Sequence, residues 1–122
     1  MWPFTSSQSD SISYRQVDAN FATSGQITVA DLPKIAQAGF KTILCARPDN
    51  EEPGQPRFAD IARAAEAAGL AAVHIPVSGM LGEGQLIRME EALKALPAPL
   101  FGYCRSGARA GSLYAAAKRA MA

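Results

Sequence analysis

Apolar runs that alternate with helix-like segments restrict the fold of this chain more than any other feature. Three such runs predict buried strands, at residues 41–46, 70–75 and 100–103. Each run is followed by a polar or glycine-containing loop and then by a helical segment. Strands that alternate with helices indicate βαβ units. The prediction is therefore an α/β fold, a mostly parallel sheet of about four to five strands with helices on both faces.

The N-terminal part of the chain predicts shorter elements. Residues 12–17 and 20–25 are typical of two short strands. Thr28 resembles a helix cap, because Asp31 follows three residues later. Pro33 conflicts with a helix that begins at Thr28, since proline loses a backbone hydrogen bond inside a helix. The alternative is that Asp31 is the cap and Pro33 lies in the first turn.

Length and composition fit one domain, expected at residues 12–122 behind a loose leader at residues 1–11. The 122 residues are 48% hydrophobic, enough for an ordinary core. A net charge of +1 gives no basis for nucleic-acid binding, and no apolar run approaches the roughly 20 residues of a membrane span. The N-terminus lacks the charged and apolar regions of a signal peptide. We therefore expect a cytoplasmic protein, because two cysteines are too few for a disulfide scaffold and a reactive thiol needs reducing surroundings.

The segment with the clearest chemistry is Cys104-Arg105-Ser106-Gly107-Ala108-Arg109, which lies between the last predicted strand and a helix predicted over residues 113–122. A strand that delivers a thiol into a short loop before a helix aims backbone N–H groups and the helix dipole at one point. Such a point binds an anion and favours the thiolate. We predict that Cys104 is the catalytic nucleophile. Arg109 is its catalytic partner, since a planar guanidinium suits a tetrahedral oxyanion.

The other loop residues have predicted supporting roles in anion binding. Gly107 permits a positive φ and a close approach of the backbone to a ligand. Ser106 can donate a hydrogen bond to the ligand, and Arg105 adds positive charge near the rim. Together with Ala108, these residues present successive N–H groups as an anion-binding loop.

Accessory candidates lie at the ends of the two neighbouring strands. Arg47 and Asp49 follow one strand, and His74 ends the next, where it could orient or protonate a group at the shared edge of the sheet. A structural role competes with the functional one for all three. Cys45 lies inside an apolar strand and is expected to be inert core. The acidic residues of these loops are expected to be surface charges: Glu51, Glu52 and Glu83.

Neither a metal nor a cofactor is implied by the sequence. One histidine and two distant cysteines lack the spacing of metal ligands. The chain has neither a Walker loop nor a dinucleotide fingerprint. The predicted substrate is a small anion, either a sulfane sulfur donor or a phosphate ester.

The spacing of the loop separates two kinds of chemistry. Four residues lie between Cys104 and Arg109, whereas protein tyrosine phosphatases and their dual-specificity relatives use five. The residue one place further on is Ala110, which cannot hold an anion as an arginine does. The loop resembles that of single-domain rhodaneses, which carry Cys-Arg-Ser-Gly-x-Arg. A tighter loop suits a persulfide sulfur better than a whole phosphoryl group.

Four separated segments of the chain resemble one family, at residues 21–27, 46–56, 74–77 and 103–109. Together they resemble the β-lactamase-hydrolase-like protein, phosphatase-like domain family, over about residues 12–122. The resemblance implies a protein-tyrosine-phosphatase-like α/β fold, with the nucleophile at Cys104 and the anion-binding arginine at Arg109. The family's Arg-Pro-Asp loop falls on residues 47–49. Members occur alone or fused to a metallo-hydrolase domain similar to persulfide dioxygenases, which implies a persulfide-dioxygenase-like partner enzyme.

Two departures from related proteins matter. Phosphatases of this fold keep an Asp general acid on a mobile loop, and the corresponding residues 77–84 contain only Glu83. An alkoxide leaving group needs a proton, so this loop weakens the phosphatase interpretation. Many relatives also continue with another helix beyond the position of Ala122, so we expect this chain to be short or truncated relative to them.

Sulfur transfer is therefore the preferred prediction. The Cys104 thiolate would attack a sulfane sulfur, form a persulfide and pass the sulfur to an acceptor thiol. The first alternative is a phosphatase that hydrolyses phosphate monoesters through a phosphocysteine. The second alternative is a non-catalytic anion-binding or redox-sensor module in which Cys104 is oxidised reversibly.

Overall fold

A five-stranded sheet forms the centre of the protein. The computed structural model describes residues 12–122, and the predicted leader at residues 1–11 lies outside them. The strands are β1 (Arg15–Asp18), β2 (Phe21–Ser24), β3 (Thr42–Cys45), β4 (Ala71–His74) and β5 (Leu100–Tyr103). Their order is β1-β2-β5-β3-β4, with β1 antiparallel to β2 and every other neighbouring pair parallel. The predicted α/β fold with a mostly parallel sheet is confirmed.

The helices of the described chain are α1 (Leu32–Gln37), α2 (Phe58–Ala67), α3 (Glu83–Ala95) and α4 (Ala108–Met121). Helices α1 and α2 pack on one face of the sheet, and α3 and α4 pack on the other. Each face therefore has its own apolar layer, as expected where helices connect parallel strands. Within residues 12–122, none of the helices has the length and apolar character needed to cross a bilayer.

Strand β3 shows how alternation places its residues. Ile43 and Cys45 lie in the layer beneath α1 and α2, whereas Leu44 lies in the layer beneath α3 and α4. Successive side chains of a strand point to opposite faces, so this division follows from the pleat. Cys104, just beyond β5, belongs to the α3 and α4 layer. The two cysteines therefore lie on opposite faces of the sheet.

The first α-helix does not start at Thr28, the cap first expected. The backbone N–H of Asp31 donates to Thr28 O at 3.0 Å and closes a 3₁₀ turn at Val29–Asp31 rather than an α-helix, while the N–H of Thr28 donates to Asp31 Oδ2 at 2.9 Å. Pro33 lies in the first turn of α1, where a missing N–H costs no hydrogen bond, so the alternative with Asp31 as the cap is confirmed.

The C-terminal helix α4 begins at Ala108, and the predicted start at residue 113 was wrong. Gly111 and Ser112 are weak helix formers, which hid the beginning of the helix in the sequence. The backbone N–H of Gly111 donates to Gly107 O at 3.0 Å, so the helix is already formed at Gly111 and Ser112. Its first turn consequently lies directly behind the cysteine loop.

Candidate active site

The loops that follow β3, β4 and β5 meet at one edge of the sheet, as the parallel strands require. Arg109, at the start of α4, donates from Nη1 to Val77 O at 2.8 Å and to Glu51 Oε2 at 2.7 Å. Val77 belongs to the loop after β4 and Glu51 to the loop after β3. One side chain therefore joins all three loops.

Cys104 lies where β5 ends and is fully buried, at 0% exposure. Its Sγ accepts the backbone N–H of Gly107 at 3.0 Å. Burial opposes ionisation of the thiol, but four backbone N–H groups outweigh it and lower the pKa of Cys104 below its ordinary value. These N–H groups belong to Ala110, Ser106, Arg109 and Gly107.

The end of β2 holds the cysteine loop in place. The backbone N–H of Cys104 donates to Ser24 O at 3.3 Å. Gly107 has a φ of +97°, and a Cβ there would lie 3.3 Å from Ser24 O. A Cβ on Gly25 would lie only 3.0 Å from the carbonyl oxygen of Arg105. Both glycines are needed for the close approach of the two chain segments.

Arg109 makes a two-point ion pair with Glu51. Its Nη1 lies 2.7 Å from Glu51 Oε2, and its Nη2 lies 2.9 Å from Oε1. The hydrogen bonds that Arg109 donates to Glu51 are the main reason that the pKa of Arg109 is raised, and the Cys104 thiolate adds to the effect. The loop therefore has a fixed cation close to its thiol.

Arg47 is buried, with 2% of its side chain exposed, and it uses all three nitrogens. Its Nε donates to Glu51 at 2.8 Å, its Nη1 to Gln26 at 2.8 Å and its Nη2 to Glu52 at 2.6 Å. Burial disfavours the charge of Arg47, but the two carboxylates outweigh that cost and raise its pKa. Arg109 first and Arg47 second lower the pKa of Glu51 to about 2.

The expectation that Glu51 is a surface charge was wrong. Only 27% of its side chain is exposed, and it bridges two arginines. Glu52 is 48% exposed and lies 3.6 Å from Arg105 Nε, nearer to the expected surface role. Glu83 is exposed at the first position of α3, in agreement with the expectation. Arg47 and Glu51 are four residues apart in the sequence, but they lie in a loop with three prolines. Such a loop has no regular repeat from which a contact between the two side chains could be predicted.

The structure places Asp49 and His74 against the scaffold of the site. Asp49 Oδ1 accepts the backbone N–H of Phe58 at 2.8 Å, at the start of α2. His74 Nε2 lies 2.8 Å from the carbonyl oxygen of Arg47, and its ring stacks on Phe58 with centroids 4.6 Å apart. These contacts fix the two ends of the loop that carries Arg47 and Glu51.

The remaining residues of the cysteine loop lie toward solvent. The side chain of Arg105 is 68% exposed and reaches the rim, where the sequence places it. Ser106 Oγ accepts the backbone N–H of Ala108 at 3.3 Å, which leaves its hydroxyl proton for another acceptor. Cys45 differs sharply from Cys104, because burial raises the pKa of its thiol and its Sγ donates to Arg47 O at 3.3 Å.

This arrangement combines a stabilised thiolate, convergent backbone N–H groups and a guanidinium. Those are the groups that a covalent attack on an anionic centre needs. The fold that holds this site is an α/β domain with its cysteine loop between the last strand and the last helix.

The chain belongs to the beta-lactamase hydrolase-like protein, phosphatase-like domain family, whose model matches residues 13–121. A beta-lactamase hydrolase-like protein from Agrobacterium fabrum is 38% identical over 100 residues, which are 81% of this chain and 23% of that protein. A second one, from Xylella fastidiosa, is 36% identical over 83% of this chain and 24% of its own length. The chain thus spans about a quarter of the length of these curated relatives.

Solved structures agree with the family. A putative phosphatase from Neisseria meningitidis superposes with a TM-score of 0.74 at 36% identity, covering 82% of this chain and 72% of that one. A putative phosphatase from Shewanella putrefaciens gives a TM-score of 0.76 at 16% identity, covering 97% of this chain and 74% of its own. The second likeness supports the fold alone.

Proposed function

We propose that this domain is a cysteine-dependent, phosphatase-like hydrolase of phosphate monoesters. Cys104 is its nucleophile, and Arg109 with the loop N–H groups binds the phosphoryl oxygens. The observation that carries the proposal is the hydrogen bond from the Gly107 N–H to Cys104 Sγ at 3.0 Å, in a loop that also fixes Arg109 beside the thiol. The family and the Neisseria relative support phosphate chemistry over sulfur transfer, which was the preferred interpretation of the sequence.

The reaction follows from the positions of the groups. The Cys104 thiolate attacks phosphorus, a sulfur–phosphorus bond forms, and the ester oxygen leaves with its electron pair. Water then attacks the phosphocysteine, releases inorganic phosphate and restores the thiolate. The N–H groups and Arg109 stabilise the charge on the non-bridging oxygens in both steps.

The leaving group must be stable without help from a nearby acid. The loop after β4, residues 75–82, contains neither Asp nor Glu, and Glu83 is exposed at the start of α3. Phenolate-type leaving groups depart without a proton, whereas alkoxides do not. The substrates that fit best are therefore esters of acidic alcohols and phenols.

Cys104 has no exposed surface, so a ligand reaches its sulfur only after a local movement at the site.

Sulfur transfer is the second candidate, favoured by the spacing of four residues between Cys104 and Arg109. With thiosulfate, the thiolate would take the outer sulfur, and sulfite would leave with the electrons of the broken sulfur–sulfur bond. An acceptor thiolate would then remove the sulfur from the persulfide. Sulfite needs no proton to leave, which agrees with the lack of an acid in residues 75–82. A persulfide-dioxygenase-like partner and a cytoplasmic location stay predictions.

Turnover of an aryl phosphate tests the proposal. We expect phosphate release by the wild-type chain and loss of at least about a hundredfold in Cys104→Ser, since the nucleophile is removed. Cys45→Ser is the matched control and should keep most of the activity, because Cys45 lies on the opposite face of the sheet. Transfer of sulfur from thiosulfate to cyanide, without phosphate release, would replace the proposal by the second candidate. Neither activity, with reversible peroxide oxidation of Cys104, would favour the redox module.

A further inference from the structure

The guanidinium of Arg109 has hydrogen-bond partners for three of its N–H groups, and its other two are available to a ligand. Glu51 occupies the end edge, formed by Nη1 and Nη2, and Val77 O takes the second N–H of Nη1. Of five N–H groups, this leaves those of Nε and the second of Nη2. These two point the same way from the planar group, which is the geometry that two oxygens of a tetrahedral anion accept.

The guanidinium of Arg109 lies close enough to Cys104 for the thiolate to help raise the pKa of the arginine. The N–H of Nε and the second N–H of Nη2 have no partner among the described residues, so Glu51 does not compete with a ligand for them.

Glu51 is also bound by Arg47. Its Oε1 receives a hydrogen bond from Arg47 Nε at 2.8 Å as well as one from Arg109 Nη2 at 2.9 Å. Arg47 is buried and is tied by Gln26 and Glu52, so it cannot follow a movement of Glu51 without breaking its own contacts. The chain of contacts from Arg47 through Glu51 to Arg109 is thus anchored in the protein interior.

We propose that Glu51 is a positioning residue of the anion site. Anchored by Arg47, it fixes the rotamer of Arg109 so that the N–H groups of Nε and Nη2 remain available to a tetrahedral anion at Cys104. The inference rests on the proposed function in assuming that an anion binds at this loop, and it holds for a phosphoryl group or another tetrahedral oxyanion.

Glu52 provides a matched comparison. It carries the same charge, lies next in the chain and also bonds to Arg47, at 2.6 Å. Its second cationic neighbour is the exposed Arg105, at 3.6 Å, and not Arg109. Removal of a carboxylate beside an anion site strengthens anion binding by simple electrostatics. If Glu51 positions Arg109, its removal should weaken anion binding, whereas removal of Glu52 should not.

The experiment measures binding of inorganic phosphate to the full chain by calorimetry at neutral pH, for wild type, Glu51→Gln and Glu52→Gln. We expect Glu51→Gln to bind phosphate about tenfold more weakly, because a charge-assisted contact that orients Arg109 is lost. Glu52→Gln should bind phosphate as tightly as wild type or slightly more tightly. In an Arg109→Lys background, Glu51→Gln should change the affinity by less than about twofold, because its effect passes through Arg109.

Several results would overturn the inference. Tighter binding of phosphate by Glu51→Gln would show that Glu51 blocks the site. An equal loss in both variants, a full effect without Arg109, or no binding of phosphate by wild type would contradict positioning. If Glu51→Gln fails to fold, Glu51→Asp decides, since it keeps the charge but cannot span both arginines, and wild-type affinity there would also refute the proposal. Turnover of aryl phosphate is scored separately, so a bound but unreactive phosphate would sink the proposed function alone.

Discussion

Glu51 and Arg109 form a two-point ion pair of 2.7 and 2.9 Å, although they are 58 positions apart in the sequence. The pair closes the edge of the sheet between the loop after β3 and the start of α4. The thiol of Cys104 lies beneath these loops and receives its N–H contacts from the turn that leads to Arg109. The geometry of the site therefore depends on contacts between distant segments of the chain as well as on the cysteine loop.

Cys104 is expected to titrate as a thiolate at lower pH than an ordinary cysteine. The backbone N–H groups that lower its pKa outweigh its burial, whereas burial raises the pKa of Cys45. Thiolate ultraviolet absorbance should rise in two well-separated steps as pH increases, and Cys104→Ser should remove the first. A first midpoint at or above that of a free cysteine peptide, roughly 8.5, would be inconsistent with the site described.

Gly107→Ala should reduce activity as well as stability. Alanine is strained at a φ of +97°, and its Cβ would lie 3.3 Å from Ser24 O. Gly39 is a control with a φ of +102° and no heavy atom within 4 Å of a built Cβ. We expect both variants to lose about 1 kcal/mol of unfolding free energy in denaturant titrations.

Only Gly107→Ala should also lower aryl phosphate turnover, by about tenfold or more, because the loop must shift to relieve the contact. Equal activity in the two variants would mean that the backbone at Gly107 does not shape the site.

Stability toward acid should depend on Glu51. Its pKa falls from an ordinary 4.5 to about 2 in the folded protein, because Arg109 and Arg47 stabilise the charged form. The folded state then binds fewer protons than the unfolded chain, so this contribution is complete above about pH 5 and is lost as pH falls through 4.5 toward 2.

Denaturant titrations from pH 7 to pH 2 check this expectation. Glu51→Gln should be less stable than wild type at pH 7, and the difference should shrink on acidification. Glu66→Gln, an exposed change on α2, is the control. A difference between Glu51→Gln and wild type that stays constant over this range would refute the assignment.

Turnover should depend steeply on the leaving group. The loop over residues 75–82 has no carboxylic acid, so nothing in it protonates a departing oxygen. Among aryl phosphates, kcat/KM should rise with the acidity of the phenol, and alkyl phosphates should be poor substrates. Equal rates for aryl and alkyl esters would indicate an acid elsewhere, and Glu83→Gln would be the first variant to examine.

Much of the scaffold followed from local sequence pattern. The apolar runs at residues 41–46, 70–75 and 100–103 contain β3, β4 and β5. Short apolar segments bounded by Gly and Pro typically form buried strands. The start of α4 did not follow, since Gly111 and Ser112 obscure helical periodicity. Because β3, β4 and β5 are parallel, the loops that follow them meet at the same edge of the sheet.

The thiol environment could be predicted, but the ion pairs around it could not. The cysteine loop between a strand and a helix predicts N–H groups aimed at one sulfur, and the Gly107 N–H donates to that sulfur at 3.0 Å. Glu51 escaped prediction because its partner Arg109 comes from a different loop, and nothing local marks the contact. The preference for sulfur over phosphate chemistry rested on the loop spacing and on the lack of an Asp in residues 77–84, and neither feature identifies the anion that binds.

Trapping of the covalent intermediate tests the central claim most directly. Wild-type protein mixed with an aryl phosphate is quenched in acid, digested and analysed by mass spectrometry. We expect a peptide that carries one phosphoryl group on Cys104, and none on Cys45 or in Cys104→Ser. Aryl phosphate turnover with no phosphoryl group on Cys104, or a Cys104 that gains a single sulfur from thiosulfate and never a phosphoryl group, would contradict it.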